Sequence, residues 1–227
     1  VAIGVGTCYS NTSDKSSSKK EAVKNTEKTE EKQTSKNTKS AEKEEASYYP
    51  LTIKTQGPDG KEYETVYEKQ PEKVVAVYQG NVETMLALGL EDKIAAVAGI
   101  EQPVLEEYQE AFSKLKNLEE FTPSKETITA EEPDMIFSWV SYFEESTLGE
   151  PQEWLNQNVN VYMNTNTASE KDTLENEYHD IKNIGKIFQV EEKADELVKS
   201  MKDKVKEIKK KVEKTGKETS VLILEKG

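Results

Sequence analysis

Four short aliphatic runs alternate with stretches of helical period: Val74-Val75-Ala76-Val77-Tyr78, Ile94-Ala95-Ala96-Val97, Met135-Ile136-Phe137 and residues 159–163. Runs this short that are apolar at successive positions belong to strands buried on both faces. Their alternation with helical stretches through short connections predicts an α/β fold, a parallel Rossmann-like sheet with helices on both sides. Ligands of such sheets sit beyond the carboxyl ends of the strands. The loops that matter are therefore those at Tyr78, Gly99, Trp139 and Asn164.

Other segments read more locally. Residues 51–67 alternate apolar and polar around Gly57-Pro58-Asp59-Gly60, a hairpin with its turn. Asn81 is placed to cap a helix whose buried side is Val82, Met85, Leu86 and Leu88, with Gly89 ending it. Residues 103–115 form a helix with Pro103 near its first turn. Ser124 caps a short helix to Ala130, and residues 153–156 lie in another. Residues 173–188 place Leu174, Tyr178, Ile181, Ile184 and Ile187 on one side, with Gly185 permitting close approach. Residues 191–214 repeat Ala194, Val198, Met201, Val205, Ile208 and Val212 at alternating spacings of four and three, an apolar seam on a long helix.

Composition sets limits. A net charge of −13 with no Arg at all makes a poor nucleic-acid binder. One Cys and one His rule out a disulfide framework and make a His/Cys metal cluster untenable, so no metal is expected. His179, within its helix, is a surface or partly packed side chain. No nucleophile–base constellation, phosphate-cradling glycine pattern or paired-acid motif rises above the acidic background, and an enzyme is not expected.

Residues 9–47 hold almost nothing but Ser, Thr, Asn, Lys, Glu and Gln, too little apolar surface to offset ordering, and are read as a disordered tether. Before them Val1-Ala2-Ile3-Gly4-Val5-Gly6-Thr7-Cys8 resembles the end of a bacterial lipoprotein signal peptide, with Cys8 the residue that would be lipidated; the competing reading is an ordinary free thiol. At the other end Val221-Leu222-Ile223-Leu224 reads as a buried strand with no partner after it, so the chain is expected to be truncated there.

The order of elements resembles the class III periplasmic-type binding proteins, which carry ferric siderophores, heme or cobalamin between two α/β lobes joined by one long helix. The resemblance rests on Pro71-Glu72-Lys73-Val74-Val75-Ala76, on residues 83–94 (ETMLALGLEDKI), on residues 126–139 (ETITAEEPDMIFSW), and on Ile184-Gly185-Lys186-Ile187-Phe188 followed by Glu191-Glu192-Lys193-Ala194. It implies that residues 1–8 end a signal peptide and 9–47 tether an N-terminal lobe at 48–188. Residues 189–216 would then be the interlobe helix, and 217–227 the first strand of a truncated second lobe. It also implies a monomeric substrate-binding lipoprotein of an ABC importer, lipid-anchored on the extracytoplasmic face of the cell membrane. Its partners would be an iron–siderophore, heme or cobalamin ligand and an ABC permease, with no nucleic acid and no cofactor.

Tyr78, Gln79, Trp139, Tyr142, Asn164 and Asn166 fall on strand-end loops. Aromatic faces beside amide groups suit a large, partly apolar ligand, although core packing is the competing reading for each aromatic. Trp139 also matches a contact position of the family. The absence of Arg argues mildly against highly anionic catecholate siderophores. Glu126 matches the family's acidic residue that docks on the permease, against the plainer reading of a solvated carboxylate. The rival function is a surface-anchored structural or adhesive lipoprotein that uses the same lobe without transport.

Overall fold

The computed structural model describes residues 48–216. Cys8, the polar stretch after it and Val221-Leu222-Ile223-Leu224 lie outside the described residues.

The hairpin is present as expected. β1 (Leu51–Gln56) pairs antiparallel with β2 (Glu62–Tyr67) in the register Leu51↔Tyr67 to Gln56↔Glu62. Alternation sends Ile53 and Tyr67 into the core while Lys54, Glu62 and Glu64 stay in solvent. The hydroxyl of Thr65 donates to the Val161 carbonyl at 3.0 Å, tying the hairpin to the main sheet.

That sheet contains β3 (Val74–Val77), β4 (Ile94–Ala98), β5 (Met135–Ser138) and β6 (Asn160–Met163), all parallel, in the order β4-β3-β5-β6. The uninterrupted aliphatic runs are explained by two cores. Val74, Ala76, Val97, Met135, Phe137 and Tyr162 face one side, and Val75, Val77, Ala96, Ile136, Val161 and Met163 the other. Residues 116–118 run beside β4, with Leu118 N–H donating to the Val97 carbonyl at 2.8 Å, so that edge is not left open.

The connections are α1 (Gln79–Ala87), α2 (Gln109–Phe112), α3 (Lys125–Ala130), α4 (Pro151–Leu155) and α5 (Thr165–Ala168). Ser124 caps α3 as expected, its hydroxyl accepting from Thr127 N–H. The helix expected at 103–115 is shorter: a 3₁₀ turn at Glu106–Tyr108 runs into α2, and turns follow.

Asn81 corrects the sequence reading. The helix begins at Gln79, three residues before the expected start, and Asn81 is inside its first turn, 2% exposed. Its amide donates to the carbonyl of Val77 at 2.8 Å and to that of Phe137 at 3.4 Å. It thus joins the carboxyl ends of β3 and β5 where the ladder runs out. Asn81→Ala leaves those carbonyls short of a donor, and urea unfolding should show a loss of about 1–3 kcal/mol.

Two helices complete the described chain, α6 (Leu174–Ile187) and α7 (Glu191–Thr215), which at 25 residues is roughly 37 Å long. Their close contact is made at Gly185, against Ala194. Among the described residues, the seam predicted on α7 is covered only at its start. Ala194 and Val198 are buried, Leu197 and Met201 pack partly on the core, and Ile208 and Val212 stand about half exposed. Leu174, expected inside, is also exposed. None of the described helices is long and apolar enough to cross a membrane.

Candidate functional site

The chain leaves β3 toward β4 on one side, then crosses back over β3 to reach β5 on the other. The loops after β3 and β5 therefore diverge in opposite directions, and the crevice between them lies above the strands' carboxyl ends. Tyr78 follows β3 and Trp139 follows β5. Their rings meet there, centroids 3.5 Å apart at an angle of 40°.

Tyr78 is held in a costly backbone conformation to make this contact. Its φ is 85° and ψ 138°, a region unfavourable to a residue with a side chain. Three features hold it there. Its N–H donates to the Ala98 carbonyl at 2.9 Å, its ring lies on Trp139, and its hydroxyl donates to Glu101 Oε2 at 3.1 Å. Burial, followed by the Glu101 hydrogen bond and charge, raises the phenol above its usual pKa. Gly99 makes room from the neighbouring strand end: at φ 70° it passes so close that a Cβ would sit 3.0 Å from Tyr78 N.

Below the stacked pair lies a cavity of about 380 Å³ lined by Tyr78, Trp139, Asn164, Asn166, Glu177 and Asp180 among others. Its floor is the end of β6 and its wall the start of α6. A larger hollow, about 910 Å³, runs along α7 between Glu196 and Glu207; it is walled by one helix and open to solvent, so it encloses nothing.

Four of the six sequence-selected residues thus share one cavity. Gln79 and Tyr142 do not line it. The Gln79 amide is spent on bracing the loop after β4: it donates to Glu83 Oε1 at 2.9 Å and accepts from Gln102 N–H at 2.9 Å, while the same Glu83 oxygen accepts from Leu105 N–H at 3.3 Å. Tyr142 sits in a 3₁₀ turn packed into the second core, 9% exposed. Asn166 lines the cavity, yet both ends of its amide are engaged, with Thr173, Asn176 and Glu177. Asn164 is different: it is 7% exposed, and its Oδ1 has no hydrogen-bond partner among the described residues.

The carboxylates of the wall, Asp172, Glu177 and Asp180, were not anticipated. Asp180 is buried, accepting from Tyr162 Oη at 2.8 Å, Thr165 Oγ1 at 2.5 Å and Thr165 N–H at 2.8 Å. Burial pushes its carboxyl above the usual range, and these hydrogen bonds pull the other way. Asn183 extends the network from Tyr162 Oη at 3.1 Å to His179 Nε2 at 2.9 Å. Among the described residues no cluster of three or more His, Cys, Asp or Glu is placed to hold a metal ion.

Glu126 is exposed in the first turn of α3. Crossover helices run antiparallel to their strands, so α3 starts at the same edge of the sheet as the cavity.

A family model described as periplasmic binding protein matches residues 74–227. The chain is 27% identical over 186 residues to the uncharacterized ABC transporter substrate-binding lipoprotein YvrC of Bacillus subtilis (strain 168), covering 81% of this chain and 55% of that one. The crystal structure of a periplasmic binding protein from Veillonella parvula DSM 2008 superposes with a TM-score of 0.63 at 32% identity, covering 68% of this chain and 50% of the other. An ABC-type Fe3+-hydroxamate transport system protein from Saccharomonospora viridis DSM 43017 gives a TM-score of 0.60 at 26% identity, covering 73% and 58%. The chain spans about half the length of the curated relatives it matches.

Proposed function

The chain belongs to the periplasmic binding protein family, a solute-binding and non-enzymatic class, and from that premise we propose that it captures a ferric siderophore outside the cell membrane and delivers it to an ABC permease. The observation that carries the proposal is the Tyr78–Trp139 pair over a cavity at the switch point of the sheet. Such a site offers a broad π surface with a polar floor, which fits a bulky chelate better than a small sugar or ion. Heme and cobalamin share that breadth and are the alternative ligands. The similarity to the ABC-type Fe3+-hydroxamate transport system protein of Saccharomonospora viridis supports the iron complex first.

Tyr78, Trp139, Asn164 and Asn166 are the ligand-facing residues in this proposal, and Gln79 and Tyr142 support the loops that hold them. Cys8 serves as the lipid anchor, a role supported by the lipoprotein relative YvrC. Glu126 docks on the permease. The experiment is uptake of a labelled ferric siderophore by the native host. Glu126→Ala should leave ligand affinity unchanged and reduce uptake by about tenfold or more, as expected for removing one partner of a buried interfacial charge pair. Uptake at the wild-type level would remove Glu126 from the docking surface.

A further inference from the structure

The cavity beneath Tyr78 and Trp139 is one-sided in its chemistry. Asp172 stands at its exposed rim, Glu177 half-buried in its wall and Asp180 buried behind, and no lysine is among the described residues that line it. Asn164 adds a buried carbonyl oxygen with no donor among the described residues, in a side chain 7% exposed. Tyr78 and Trp139 line the same volume, and a cation is attracted to the face of an aromatic ring. Acceptors, carboxylates and π faces therefore converge on one volume, in a chain whose net charge is already −13.

An anionic ligand seated here would bring like charges together in a partly desolvated site and would leave Asn164 unsatisfied. A protonated amine corrects both faults at once. It can donate to Asn164 Oδ1 and to the free lone pairs of Glu177, while its charge is balanced by the carboxylates and the rings. Within the importer reading, on which this rests, we infer that the cargo is a cationic ferric complex, with an ammonium group seated between Trp139 and the Asp172–Glu177 wall.

The test is isothermal titration of the full-length gene product with three ferric complexes of different charge: cationic ferrioxamine B, neutral ferrichrome and anionic ferric enterobactin. Ferrioxamine B should bind tightest. The double variant Asp172→Asn, Glu177→Gln keeps the side-chain shapes and the Asn166 contact but removes the charge. It should weaken ferrioxamine B by about tenfold, the scale of a charge-assisted hydrogen bond, and leave ferrichrome nearly unchanged. Tighter binding of the neutral or anionic complex, or an unchanged ferrioxamine affinity in the variant, overturns the inference and leaves the importer reading standing. Failure of all three complexes to bind removes the ferric-siderophore reading and the inference with it.

Discussion

Trp139→Ala in the full-length protein is expected to weaken ligand capture by roughly thirtyfold or more, the loss that follows from removing a central aromatic anchor. Trp139 provides one half of the stacked surface over the cavity, and its partner Tyr78 is held at φ 85° partly by that contact. Truncation therefore removes a ligand-facing ring and lets the other relax. The cost to folding should be smaller, because Trp139 only partly packs on the second core. Titration of the ligand together with urea unfolding separates the two effects. Affinity that survives in a folded Trp139→Ala variant would move the site away from this crevice.

The second large effect lies far from the cavity. Gly185→Leu should lower stability by about 3 kcal/mol, the upper range for forcing extra atoms into a close-packed contact. A Cβ at Gly185 would lie 2.5 Å from the Cβ of Ala194, with Glu191 Cα and the Val190 carbonyl close behind. Those atoms belong to the start of α7, where Ala194 and Val198 are the buried anchors of the helix. Even Gly185→Ala should destabilise, although helix propensity alone favours alanine by about 1 kcal/mol. A stabilised alanine variant in urea unfolding would mean that α6 and α7 are not packed as closely as described.

The sheet was legible because its signal is repeated and local. Each aliphatic run had to be buried on both sides, and the two cores account for every one of them. Gly185 was readable for the same reason, as a small residue on the buried side of a periodic helix. Helix starts were harder. Asn81 looks like a cap in sequence, but its amide is used across two strands, and the pairing with Phe137 spans 56 residues. No local pattern carries that information.

The site was half legible. Strand-end positions drew attention to Tyr78, Trp139, Asn164 and Asn166, which do meet in one cavity. Gln79 was equally well placed, yet its amide turns to Glu83 and Gln102, a choice made by the tertiary position of the loop after β4. Asp172, Glu177 and Asp180 went unnoticed among 44 acidic residues. The spacing of three between Glu177 and Asp180, just before Ile181 on the buried side of α6, was the one signal that marked them as facing inward.

The most direct test of the central claim is native mass spectrometry of the full-length gene product mixed with ferric siderophores, heme and cobalamin. The account predicts a retained one-to-one adduct with a ferric siderophore that disappears in Trp139→Ala. A folded protein that forms no adduct with any of them would contradict it.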